Sequence, residues 1–225
     1  MKIGIIGAGN MSRSLGIVWA EQGHDVFFGS RDAARGAALA AFAGNGTQGG
    51  TNDEAAAFGG VVLFTVREKV LSDVLSSVEP LAGKIVIDCN NRAVPADFAF
   101  DAMMGESLAE KTAADAPGAR VVKAYNTMAQ EVFEMSPEPL RQHGVSAYLC
   151  ADDEAAKQTV AELSSDIGLV PVDCGPLRSA RMLEVLGDFI RFMMAGMDLG
   201  RFATINVKTI PEPAQERLGG RGFQP

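Results

Sequence analysis

An α/β architecture is predicted: a doubly wound, mostly parallel sheet with a small C-terminal helical segment. Three features predict it. Short β-rich runs alternate with alanine-rich helical stretches over most of the 225 residues. Several runs, such as Val61-Val62-Leu63-Phe64 and Ile85-Val86-Ile87, are continuously apolar, as a strand covered by helices on both faces requires. The first run opens at residue 2 and passes into a glycine-rich turn and then a helix.

Strands are expected at Lys2–Ile6, Asp25–Phe28, Val61–Phe64, Lys84–Asp88, Arg120–Ala124, Ser146–Cys150 and Leu169–Val172. Helices at Met11–Gln22, Asp32–Ala43, Asn52–Ala57, Glu68–Val78, Glu106–Ala114 and Asp153–Ile167 fill the intervals. Such alternation builds right-handed crossovers between parallel strands. After Gly175-Pro176 the pattern changes to one long helix, Ser179 to about Leu199, with Leu183, Leu186, Phe189, Ile190, Met193 and Met194 at helical spacing. The chain thus divides into a nucleotide-binding domain, 1–176, and a C-terminal helix and tail, 177–225, that serves a second substrate, a dimer interface or both. Met182, Met193, Met194 and Met197 on that helix suit a core, a dimer seam or a lid. The tail from Ile210, rich in Pro, Gly, Gln and Arg, is expected to be mobile or to pack on another subunit.

Composition narrows the function. Twenty basic against 28 acidic side chains give a net charge of −8, which argues against nucleic-acid or anionic-membrane partners. The three cysteines, Cys89, Cys150 and Cys174, lie far apart without a CxxC, which disfavours a disulfide framework or a zinc site. A signal peptide is not expected, because the start lacks the longer apolar core and small-residue cleavage site it would need, and Glu184, Asp188, Arg191 and Asp198 interrupt the most apolar late stretch. A cytoplasmic protein is expected.

The glycine turn is Gly7-Ala8-Gly9-Asn10-Met11-Ser12. Between a strand and a helix, a G-x-G lets the backbone turn tightly and approach a pyrophosphate held at the helix N-terminus. Ser12 stands at the third glycine position and is still small enough for close packing. This is the context of a Rossmann-type dinucleotide site. The second strand ends in Gly29-Ser30-Arg31-Asp32, where an NAD enzyme carries a carboxylate for the ribose hydroxyls. Ser30 and Arg31, with Arg35 one turn later, suit the 2′-phosphate of NADP instead. Ser30 also suits a helix N-cap, and Asp32 is the weaker argument for NAD.

Ligands of such sheets sit beyond the carboxyl ends of the strands. Those ends offer Thr65-Val66-Arg67, Asn90-Asn91-Arg92, Tyr125-Asn126-Thr127-Met128 and Gly175-Pro176-Leu177-Arg178. They carry no Ser/His/Asp set, carboxylate pair or metal cluster. Cys89 and Cys174 fall on the ligand side and read as buried thiols. His24 and His143 are expected at the opposite end. Reducing a ketone needs a proton donor for the alkoxide, whereas hydride transfer between two heteroaromatic rings relies more on orientation and desolvation. The crevice suits the second task.

The chain resembles the NADPH-dependent coenzyme F420 reductase family over residues 1 to about 200. The resemblance rests on Gly7-Ala8-Gly9-Asn10-Met11, on Gly29-Ser30-Arg31 and on Val121-Val122-Lys123-Ala124-Tyr125-Asn126-Thr127. It continues in Asp173-Cys174-Gly175-Pro176-Leu177-Arg178-Ser179-Ala180-Arg181 with Leu183-Glu184. It implies a homodimer that binds NADP(H), with coenzyme F420, a deazaflavin, stacked near the nicotinamide. At matching positions Gly7, Gly9, Asn10 and Met11 would meet the pyrophosphate and nicotinamide mononucleotide. Ser30, Arg31 and Arg35 would hold the 2′-phosphate, Thr65 and Val66 would line the cofactor, and Asn126 and Met128 would approach the site of hydride transfer. The chain departs from the family at Arg67, often proline, at Ser12 and Ser14 in the phosphate loop, and at Asn126, a histidine in some archaeal members. An acceptor groove built from Arg67, Arg92, Arg178 and Arg181 would suit an anionic deazaflavin tail.

Other readings keep NADPH but pass the hydride to a flavin, quinone, ferric chelate or imine such as pyrroline-5-carboxylate. Pyrroline-5-carboxylate reductases and β-hydroxyacid dehydrogenases, however, append a longer helical domain to a similar start. A non-catalytic NADP(H) sensor is the remaining alternative.

Overall fold

The structure, a computed structural model, describes residues 1–93 and 105–211. One 8-stranded sheet, ordered β3-β2-β1-β4-β5-β6-β7-β8, forms its frame. The strands are β1 (Lys2–Ile6), β2 (Asp25–Ser30), β3 (Gln48–Thr51), β4 (Val61–Phe64), β5 (Ile85–Asp88), β6 (Arg120–Ala124), β7 (Ser146–Ala151) and β8 (Val170–Asp173). The helices are α1 (Asn10–Glu21), α2 (Ala33–Ala43), α3 (Asn52–Phe58), α4 (Leu108–Asp115), α5 (Gln130–Phe133), α6 (Pro137–His143), α7 (Glu154–Asp166) and α8 (Ala180–Arg191). This is the expected Rossmann-type fold, with helices on both faces of the sheet.

Neighbouring residues of a strand divide between two cores. Ile5, Leu63, Ile87 and Val122 join Trp19 and Phe28 on one face, while Ile6, Phe64, Val86 and Val121 join Leu71 and Leu183 on the other. Burial on both faces is why these strands read as unbroken apolar runs.

Strands β1 to β6 run parallel. Strand β7 pairs antiparallel with β6, and β8 follows β7, so the last two point backwards. Their reversal corrects an expectation: Gly175 to Arg178, and Cys174 before them, leave the sheet at the rim opposite the crevice. His143 is corrected too, because it ends α6 on the crevice rim rather than the far one. There it borders a separate hollow with Phe202 and Lys208.

The expected helix over Glu68–Val78 is absent. A short 3₁₀ turn at Leu71–Asp73 stands in its place, and a second, Glu79–Leu81, follows it. Carboxylates from neighbouring helices capture its backbone: Ser72 N donates to Asp115 (2.8 Å) and Ser76 N to Asp53 (2.8 Å). Three valines, four residues apart, favour helix only weakly. Strand β3 and the short helices α5 and α6 were not expected. The long C-terminal helix is α only to Arg191, after which a wider π turn spans Phe192–Gly196. Of the tail, residues 212–225 lie outside the described residues.

Candidate functional site

Beyond the carboxyl ends of β1, β2 and β4 a cleft of about 610 Å³ opens, and a second lobe of about 370 Å³ continues it past β5 and β6. Gly7, Gly9, Ser30, Arg31, Arg35, Thr65 and Val66 line the first lobe, and Asn10, Met11, Asn126 and Met128 the second. The residues expected to hold the nucleotide and to flank hydride transfer therefore line two adjoining lobes that share Gly9, Thr65 and Arg67.

The first lobe is held open by its backbone. Gly7 has φ +108°, and a Cβ there would stand 2.5 Å from Thr65 Oγ1. Its N–H donates to Asn52 Oδ1 (3.2 Å), and the Asn52 amide donates in turn to Val74 O (3.2 Å). Thr65 Oγ1 donates to Ile6 O (2.9 Å) and meets Ser12 Oγ at 2.7 Å. Helix α1 has Gly9 as its N-cap, with no capping side chain and no acid in its first turn. Its first N–H groups and positive dipole end thus face the cleft uncompensated, as a pyrophosphate requires. A Cβ on Gly9 would meet no protein atom within 4 Å, which leaves that face open to a ligand.

At the tip of β2, Asp32 rather than Ser30 caps α2, accepting from Ala34 N (3.0 Å). The carboxylate that would argue for NAD is thereby turned onto the helix. Ser30 Oγ accepts only a long bond from Asp32 N (3.4 Å), and Arg35 reaches across to Ala8 O (3.1 Å). A hydroxyl and two guanidinium groups remain around the tip. This donor set fits the 2′-phosphate of NADP(H).

The second lobe depends on a strained turn. Tyr125, buried at the end of β6, has φ +62°, an unfavourable value for an aromatic residue. It is locked by edge-on packing against Trp19 and Phe133 and by a 2.9 Å bond between its hydroxyl and Ser164. That turn aims Asn126 at α8. The Asn126 amide donates to Asn91 Oδ1 (2.9 Å) and Leu183 O (2.8 Å), and Asn91 donates to Asn126 O (2.6 Å). Gly187 allows the approach, since a Cβ there would lie 2.6 Å from Asn91 Oδ1.

Below this rim, Lys123 is fully buried between Asp88 (3.1 Å) and Glu184 (2.8 Å) and also donates to Asn90 O (2.5 Å). Burial alone would pull its ammonium down, but the two carboxylates outweigh it and raise it above the ordinary value. The ion pair thus fastens α8 to β6. Burial pushes the Cys89 thiol, at the second lobe, up to about 12, so it stays protonated near neutrality. Cys150 is likewise raised to about 12.

The expected arginine groove divides. Arg67 lines both lobes, and Arg92 sits between the lining residues Asn91 and Ala93 without lining either lobe itself, whereas Arg181 forms a two-bond pair with Glu110 (2.7 and 2.8 Å) and lines neither lobe. Arg178 follows β8 and also lines neither lobe. Sequence reasoning missed Asn52, Gln130 and Arg191 as lining residues. Arg191 had left one signal, a charge between the apolar positions Ile190 and Met194. Among the described residues no His/Cys/Asp/Glu group would hold a metal, and no helix is long and apolar enough to cross a membrane.

Comparison with known proteins gives this geometry a family. The model of the family described as NADP oxidoreductase coenzyme F420-dependent matches residues 2–92. Metalloreductase STEAP3 of Rattus norvegicus is 31% identical over 185 residues, covering 82% of this chain and 36% of that protein. The chain thus spans about a third of the length of this curated relative. F420-dependent NADP reductase of Methanothermobacter thermautotrophicus is 30% identical over 203 residues, covering 82% of this chain and 85% of that protein. The crystal structure of an Arthrobacter sp. fb24 protein assigned as an F420-dependent NADP reductase superposes with a TM-score of 0.76. It is 25% identical and covers 93% of this chain and 100% of that one. An imine reductase of Bacillus cereus, 20% identical with a TM-score of 0.59 over 88% of this chain and 62% of that one, shares the fold. With that identity to the Methanothermobacter reductase sustained over most of both chains, this protein belongs to the coenzyme F420-dependent NADP oxidoreductase family.

Proposed function

We propose that the chain binds NADP(H) along the crevice and transfers a hydride between it and a deazaflavin, coenzyme F420, at the second lobe. The observation that carries the nucleotide half is the tip of β2, where Ser30, Arg31 and Arg35 gather while Asp32 is spent on capping. In this reading the domain 1–176 holds the nucleotide. Gly7, Gly9 and the first turn of α1 take the pyrophosphate, and Asn10, Met11, Thr65 and Val66 flank the nicotinamide mononucleotide. Segment 177–225 contributes α8 to the acceptor end. When bound, the reduced nicotinamide supplies the hydride. The protein's own part is to orient and desolvate: Tyr125 fixes the turn that carries Asn126, and Met11 and Met128 give the second lobe apolar walls. Glu131, nearby, is tied to Arg201 (2.6 Å). Transfer between two aromatic rings does not require a proton donor for an alkoxide, which agrees with this set of groups.

The names of the archaeal relatives support F420 as acceptor. A second reading, hydride transfer to a flavin or ferric chelate, is favoured by the similarity to a metalloreductase. Stopped-flow absorbance with NADPH separates them, with coenzyme F420, FMN, FAD and ferric citrate as acceptors. Rapid bleaching of the deazaflavin alone is expected. Transfer only to the others selects the second reading, and tight NADPH binding without any transfer makes the chain a sensor. The proposal includes a cytoplasmic location and a homodimer, the latter supported by exposed Phe189, Phe192 and Phe202 on the C-terminal segment. Light scattering at twice the chain mass checks the dimer.

A further inference from the structure

A second cluster of cations, separate from the one at β2, is built from two crevice residues, Arg67 and Arg191, and from Arg92 beside them. Arg67, after β4, borders both lobes, is exposed, and has no carboxylate within ion-pairing distance among the described residues. Arg92, after β5, stands 3.6 Å from Asp188, and its Nε is buried without a hydrogen-bond partner. Arg191, at the end of α8, donates to Arg92 O (2.7 Å) and grips Asp188. The three positions are far apart in sequence, yet their charges act on one another. Burial lowers the Arg191 guanidinium from its ordinary value, Asp188 opposes that, and Arg67 and Arg92 push it further down.

A dinucleotide does not need this cluster. The pyrophosphate is served by the N-terminus of α1 and the 2′-phosphate by Ser30, Arg31 and Arg35. A third cationic group, in a chain of net charge −8, is therefore surplus to the nucleotide. Guanidinium forks match oxyanions in two-bond geometry, and their mutual repulsion is relieved when one binds.

We propose that Arg67, Arg92 and Arg191 form an oxyanion subsite that selects acceptors carrying a phosphate or carboxylate beside the reacting ring. The inference rests on reading the crevice as a hydride-transfer site, and its test uses two pairs of acceptors. FMN differs from riboflavin by its phosphate, and coenzyme F420 differs from its bare deazaflavin chromophore by its anionic tail. The readout is the preference, in kcat/KM with NADPH, for the anionic member of each pair. Arg67→Gln is expected to reduce that preference about 10- to 100-fold. Arg67→Lys should restore most of it, and the Kd for NADPH should move by no more than about twofold. Because Arg67 is exposed, neither variant disturbs the core.

Three results would overturn the subsite: no preference in the unmodified protein, an equal loss for both members of a pair, or a loss of NADPH affinity as large as the loss of preference. The last would hand Arg67 to the pyrophosphate. If no acceptor accepts a hydride, the hydride-transfer reading fails on its own. The subsite is then decided by fluorescence quenching of FMN and riboflavin with NADP⁺ present, where tighter FMN binding lost in Arg67→Gln upholds it and equal binding rejects it.

Discussion

The two ends of the crevice are built in opposite ways. The nucleotide end comes from residues close in sequence, the loop at 7–12 and the tips at 30–35 and 65–66, and much of its grip is backbone. The far end gathers side chains from residues 67, 126, 128 and 191, held by contacts such as Lys123 with Glu184 and Arg191 with Arg92. The first can be written as a motif; the second exists only once α8 has returned across the sheet. Nucleotide choice should therefore respond to local changes, and acceptor choice to packing.

Lys123→Met should give the largest effect and break the far end alone. It leaves Asp88 and Glu184 buried without their cation, and urea unfolding should show a loss of about 3–5 kcal/mol. A loss below about 1 kcal/mol would mean that apolar contacts hold α8. Two glycine variants then sharpen the nucleotide end. Gly7→Ala forces a strained φ and a 2.5 Å contact with Thr65, so stability should fall by about 1–3 kcal/mol together with NADPH affinity. Gly9→Ala meets only open space, so Tm should hold while NADPH binding weakens about tenfold or more, because a methyl group now stands where the backbone must approach phosphate. Equal damage from both would show that the loop is merely structural.

Arg31→Ala should weaken NADPH binding about 10- to 150-fold and leave NADH binding nearly unchanged. Isothermal titration of both dinucleotides reads the difference, and an equal loss would remove the 2′-phosphate assignment. The smallest effect concerns pH. The Arg181 guanidinium, outweighing burial, holds Glu110 down at about 2 against an ordinary 4.5. Since the folded value lies below the unfolded one, this contribution is complete above about pH 4.5 and is lost as pH falls towards 2. Glu110→Gln should flatten acid destabilisation across that window, with a Tm change of about 1–2 °C at neutral pH because the pair is partly solvated.

What was legible in the sequence follows the same division. The glycine turn and buried strands could be read because each depends on its immediate neighbours. Strand β3 could not: Gln48-Gly49-Gly50-Thr51 has no strand character, and it pairs because Gly36 lets α2 lie against it, with Gly50 O 2.3 Å from where a Cβ would be. The direction of β7 was equally hidden. Ser146–Ala151 is buried on both faces, and an apolar run reads the same whichever way the strand points. Misreading that direction moved Gly175 to Arg178 to the wrong rim and obscured Arg191, which α8 carries back to the crevice.

The reversal of β7 also sets an order in time. Residues that line the nucleotide lobe are complete once synthesis has passed Ala93, whereas the far end cannot close until Arg191 meets Arg92, 99 residues earlier in the chain. Contacts of such long separation form late, and chains fold from their N-terminal side as they are made. A growing chain is thus expected to gain its hold on NADPH well before it gains anything to reduce.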